Sequence, residues 1–148
     1  MSEFGLGKII LAFSGTTLSW LFGAWDTPIK ILVAFIILDY ILGVLKAVIN
    51  KEVSSSVGAK GIAKKGIIFI ILIVAVLLDR LLNLPSNIFR SLVAYFYIAN
   101  EGISLIENCV AMGVPVPAKL KDILVQLKEG KKVTIKDVSE ESITEGDE

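Results

Sequence analysis

Four long apolar blocks fill most of this sequence, and several of them carry ionisable residues. A helix needs about 17–25 predominantly apolar residues to cross a hydrocarbon core about 30 Å thick. The first block, Ile9 to Trp25, is uncharged over 17 residues, at the lower end of that range. The second, Ile31 to Ile49, is apolar apart from Asp39, Tyr40 and Lys46. The third runs from Gly66 to about Leu84, with Asp79 and Arg80 near its far end, and the fourth from Ile88 to about Val114. With 54% apolar residues among 148 and a mean hydropathy of +0.74, the chain reads as a one-domain integral membrane protein.

The expected architecture is all-α. Residues 1–118 make a membrane domain with spans over about 28–49, 66–84 and 88–114, and a further helix over 6–25 that either spans or lies in the interface. Residues 119–136 form a basic amphipathic cytoplasmic segment, because Leu120, Ile123, Leu124 and Leu127 recur at helical spacing beside lysines. Residues 137–148 hold six acids and no base and read as a disordered tail. Asp26 or Thr27 should cap the second helix, with Pro28 in its first turn. Asn83 to Asn87 reads as a tight turn.

What is missing excludes several chemistries. There is no His and only one Cys, Cys109, so imidazole catalysis, a disulfide and a thiolate zinc site are out. The run Gly61 to Gly66 has phosphate-loop glycine spacing but Ile67 where that motif needs Lys. Lys+Arg and Asp+Glu are both 15, which leaves no basic field for nucleic acid. We expect no enzyme, catalytic residue, cofactor or metal site.

Two segments are basic. Lys46 to Lys65 holds five lysines against Glu52, and Lys119 to Lys136 holds six against Asp122 and Glu129. The positive-inside rule puts both in the cytoplasm, with the Asp26 and Pro85 turns outside. The C-terminus is then cytoplasmic, and so is the N-terminus if residues 9–25 span.

The charges inside the blocks are the informative residues. Each costs about 2.5–3.5 kcal/mol at a helix centre, against about 0.3–0.6 gained per large aliphatic residue. Asp79, Arg80 and Arg90 lie near span ends, where they can snorkel; Asp39 and Glu101 do not. At ~100° per residue, Arg90, Tyr97, Asn100, Glu101, Ser104, Glu107 and Asn108 share an arc of about 120° on the fourth block. Asp39, Gly43, Lys46 and Asn50 make a narrower stripe on the second. Either the stripes pair within one monomer, with Asp39 or Glu101 against Arg80 or Arg90, or they face other copies and water. Three or four short helices offer little interior, so we expect them at an oligomer interface or pore lining. Gly15, Ser19 and Gly23, at i, i+4 and i+8, are either a helix-packing ridge or chance.

Several stretches resemble one family. Trp25-Asp26, Leu38-Asp39-Tyr40-Ile41-Leu42-Gly43-Val44-Leu45-Lys46-Ala47, and Ser54 to Gly58 leading into Lys60-Gly61-Ile62 are similar to the bacteriophage holins related to the clostridial toxin-secretion holin. So are Tyr97-Ile98-Ala99-Asn100-Glu101-Gly102-Ile103-Ser104-Leu105-Ile106-Glu107-Asn108 and Gly113-Val114-Pro115-Val116-Pro117. The resemblance covers roughly Trp25 to Lys128. It implies a protein that self-associates among the lipids of the bacterial cytoplasmic membrane and opens nonselective lesions there. An endolysin or a large toxin would leave through them, for host lysis or secretion, with an antiholin as a further partner. Two alternatives stand beside it: a small ion or proton channel or transporter subunit, with Asp39 and Glu101 as its relay, and a non-pore scaffold or holin antagonist.

Overall fold

The computed structural model describes residues 3–131. Its elements are α1 (Glu3–Phe22), α2 (Thr27–Ile49), α3 (Ser55–Leu81), a 3-10 turn (Pro85–Asn87), α4 (Ile88–Ala111) and α5 (Ala118–Lys128). No strand occurs among the described residues. The end of the basic segment and the acidic run 137–148 lie outside them.

Asp26 is the N-cap of α2, its side chain accepting from the Ile29 N–H at 3.4 Å, and Pro28 sits in the first turn. Helix α3 starts at Ser55 rather than Gly66, so Lys60, Lys64 and Lys65 are helical and not in a loop. Hydropathy marks where lipid begins, whereas Ala and Lys continue a helix readily beyond that point. The helix stops at Leu81, where the Leu84 N–H bonds the Asp79 carbonyl and Asn83 takes a left-handed conformation. Helix α4 stops at Ala111, short of Val114, on the same motif with Gly113 at the left-handed position. Helix α1 ends at Phe22, which leaves Gly23 in the following turn at φ +74°. Gly15, Ser19 and Gly23 therefore do not form one ridge on a helix.

Helices α2, α3 and α4 pack into a bundle around Ile29, Leu32, Ile36, Ile68, Leu72, Ala94 and Ile98. Asp26 lies beside Arg90, and Asp39 beside Asn108, so α2 and α4 run in the same direction. Lys65 meets Asp39 and Glu101 while Asp79 meets Phe89 and Arg90, so α3 runs against both. Helix α1 touches α3 through Phe22 edge-on to Phe69, and Arg80 lies 4.8 Å over the Trp20 ring. Helix α5 doubles back along α4.

Among the described residues, two helices are long and apolar enough to cross a membrane, Thr27–Ile49 and Gly58–Leu81, and only 11% and 22% of an apolar 18-residue window in each is buried within the chain. Ile31, Ile37, Leu38, Ile41, Val44 and Leu45 of α2 are all exposed. A soluble monomer rarely shows so long an apolar face. Helix α4 has similar length, but Arg90, Glu101 and Glu107 lower its apolar content; it packs Arg90 and Glu101 inward and leaves Glu107 exposed.

Candidate functional site

The bundle encloses two polar layers, 13 residues apart along α2 and hence about 20 Å. The first is built on Arg90, which is 3% exposed. Its Nη1 and Nη2 donate to the two carboxylate oxygens of Asp26 at 2.8 and 2.9 Å, and Nε donates to the Phe22 carbonyl at 2.9 Å. Nη2 also donates to the Ala24 carbonyl. This fork ties the α1–α2 turn to α4, and Gly23 is required beneath it: a Cβ there would lie 3.0 Å from Arg90 Nε, on a backbone that already favours glycine. The Arg90 hydrogen bond, helped by the Ile29 N–H and opposed by burial, holds the Asp26 carboxyl below its ordinary range. Asp79 is buried alongside, accepting from the Phe89 and Arg90 backbone N–H groups at 2.9 and 2.8 Å. A carboxylate of α3 thus caps the N-terminus of α4, a place that favours negative charge. Neither Asp79 nor Arg90 snorkels outward.

The second layer is made of side chains alone. Lys65 Nζ donates to Asp39 Oδ2 at 2.9 Å and to Glu101, and Asn108 Nδ2 donates to Asp39 Oδ1 at 3.1 Å. Asp39, Lys65 and Glu101 side chains are 13%, 14% and 7% exposed. The partner of Asp39 and Glu101 is therefore Lys65, not Arg80 or Arg90. A groove of about 600 Å³ reaches this layer between α2 and α3, lined by Asp39, Tyr40, Gly43, Ala47, Gly58 and Lys65 among others.

The expected stripe on α4 is thus divided. Arg90 belongs to the first layer, and Glu101 and Asn108 to the second. Tyr97 is half-buried against the core, with Phe96 edge-on at 5.2 Å. Asn100 accepts from Lys128 Nζ at 3.1 Å, and exposed Glu107 lies 3.8 Å from Lys121. Ser104 is half-buried on the same helix. On α2, Gly43 lines the groove and Lys46 is half-buried a turn further on. Gly15 has nothing within 4 Å of a Cβ position, and Ser19 is exposed.

Lys65, Asp26 and Asp79 were not among the expected site residues. Lys65 was hidden by its place at the end of a basic run. Its signal is spacing: Asp26 to Asp39, Lys65 to Asp79 and Arg90 to Glu101 are similar intervals on three helices, which is what two stacked layers require.

An apolar exterior around two buried layers, each of one cation and two carboxylates, defines a small helical membrane protein. The family model of the bacteriophage holin family matches residues 16–129, and the chain belongs to that family. It is 56% identical over 117 residues to an uncharacterized 14.9 kDa protein in the nagH 3′ region of Clostridium perfringens, covering 79% of this chain and 89% of that one. An uncharacterized protein of Listeria monocytogenes is 45% identical over 122 residues, 80% of this chain and 86% of its own. A probable holin of Bacillus phage phi105 is 39% identical over 88 residues, 60% of this chain and 64% of its own. No solved structure matches the chain.

Proposed function

We propose that this protein is a holin that oligomerises in the bacterial cytoplasmic membrane and opens nonselective lesions, through which an endolysin or a large toxin leaves the cell. Family membership over residues 16–129 carries the reading. The geometry supports it: among the described residues one copy pairs Arg90 and Lys65 with carboxylates inside a bundle of three long helices, and permeation of a folded protein calls for many such copies. Helices α2, α3 and α4 cross the membrane, with the α2–α3 connection and the C-terminus in the cytoplasm. The N-terminus shares that side if α1 spans and is outside if α1 rests in the interface. The reading assigns no catalytic role.

A second reading, a small ion or proton channel, draws on the Asp39–Lys65–Glu101 layer and the groove that reaches it. Inducible expression in a bacterium holding a cytoplasmic reporter enzyme separates the readings, with viability and reporter release followed together. Abrupt death with release of the folded reporter is the holin outcome. Depolarisation with the reporter retained selects small-ion pores, and healthy cells with the protein in their membranes select the antagonist or scaffold.

A further inference from the structure

Helix α5 is docked where lipid would not tolerate it. It runs antiparallel to α4: Lys121 meets Glu107, Leu124 meets Gly102, and Lys128 meets Asn100 and the face of Phe96. The fit is close, because a Cβ at Gly102 would lie 2.9 Å from Leu124 Cδ1 and 3.1 Å from Phe35 Cε2. Leu127 packs against the core cluster of Leu32, Leu72, Ala94 and Ile98. Lys128, the last residue of α5, contacts Asn100, which lies midway along α4. The C-terminal end of α5 is therefore level with the middle of the bundle, not with its cytoplasmic rim.

Its outer face is charged. Lys121, Asp122, Lys128 and the C-cap Glu129 are exposed there, beside Leu120 and Val125. Lysines can reach toward an interface, but Asp and Glu are too short to do so. A carboxylate at that depth, as Glu129 is beside its partner Lys131, costs more than the few inward apolar residues of α5, chiefly Ile123, Leu124 and Leu127, can return. With water on that face the cost disappears and the docking contacts remain. Lipid and water thus favour opposite positions of one helix, joined to α4 by the short segment Met112 to Pro117.

Resting on the holin reading, we propose that the outer face of α5 is the water-facing wall of the assembled lesion, with α5 docked on α4 in copies that border water and undocked in copies surrounded by lipid. Undocked, its lysines suit the anionic inner leaflet.

The test uses the full-length chain with Cys109→Ala, Asn100→Cys and Lys128→Cys in vesicles of bacterial phospholipid enclosing a folded reporter. A short bis-maleimide is applied at dilute and crowded protein-to-lipid ratios. Intrachain crosslinking is read as altered mobility of the monomer. We expect it to rise about tenfold from dilute to crowded vesicles, alongside reporter release, as a two-state docking equilibrium shifts. Adding Asp122→Leu and Glu129→Leu makes the outer face compatible with lipid and should raise crosslinking at the dilute ratio. Reporter release with equal crosslinking at both ratios, or with crosslinks mainly between chains, overturns the α5 assignment and leaves the holin reading standing. No release at any ratio is a failure of the holin reading, and the α5 assignment falls with it.

Discussion

The two polar layers use the same ingredients, one cation and two carboxylates, and differ in what closes them. In the Arg90 layer the backbone does much of the work: Phe22 and Ala24 carbonyls take guanidinium protons, and the first N–H groups of α4 satisfy Asp79. Backbone partners are fixed by the helices that carry them, so this layer is a rivet between the α1–α2 turn, α3 and α4. The Lys65 layer has only side chains, can rearrange by rotamer changes, and borders a groove. If α2–α4 change partners during assembly, the second layer is the one able to follow.

The largest expected effect is therefore at Arg90. Removing one partner of a buried, hydrogen-bonded ion pair costs about 3–5 kcal/mol. Arg90→Leu should lower the thermal midpoint in detergent and reduce accumulation in membranes, and Arg90→Lys should rescue little, since a lysine lacks the planar fork. A stable, normally inserted Arg90→Leu protein would end the distinction between the layers. Next comes Lys65→Met, which leaves Asp39 and Glu101 together without their cation. We expect a loss of about 2–3 kcal/mol, less than at Arg90 because the groove admits water. The double variant Lys65→Met/Glu101→Gln should recover part of it. Failure of that rescue in the same denaturation assay would show that Lys65 acts through packing rather than charge.

Glu101→Leu sharpens the comparison in another way. It leaves Lys65 and Asp39 as a balanced pair, so stability should change by no more than about 1 kcal/mol. Reporter release should nevertheless be delayed or lost if rearrangement of this layer accompanies assembly. Normal killing by an inserted Glu101→Leu protein would remove the second layer from the mechanism while leaving the family assignment untouched.

The sequence reveals the helices far better than the partners. The apolar blocks locate α2, α3 and α4 because long runs of large apolar residues leave a dense, one-dimensional signal. The α4 wheel places Arg90, Asn100, Glu101 and Asn108 on one arc, because face is a property of a single helix. It cannot say what lies opposite. The pairing of Glu101 with Lys65 rather than an arginine depends on α3 continuing below the apolar run, and hydropathy does not record that continuation. The sequence leaves Gly23 either in a helical ridge or there by chance, because small residues at i+4 intervals look alike in a helix and in the turn that ends it. The depth of α5 was equally hidden: its 3-4 pattern shows an apolar face, and only the contacts of Leu124 and Leu127 show that the face is inside the bundle.

The smallest effect expected lies at the exposed edge of the rivet. The Arg90 hydrogen bond lowers the Asp26 carboxyl below its unperturbed value of 3.8. A depressed folded value means that the unfolded chain takes up the proton first as pH falls. The contribution of Asp26 is therefore complete above the unfolded value and is lost as pH drops through the lower folded one. Its side chain is 39% exposed, so solvent screening keeps the effect small. In detergent, the wild-type thermal midpoint should fall more steeply below about pH 3.8 than that of Asp26→Asn, which already lacks the titrating charge. The other carboxylates titrate in both proteins, so the difference between the two curves isolates this one. Parallel curves would mean that the guanidinium is held mainly by the Phe22 and Ala24 carbonyls, making the rivet even more a backbone structure than its ion pair implies.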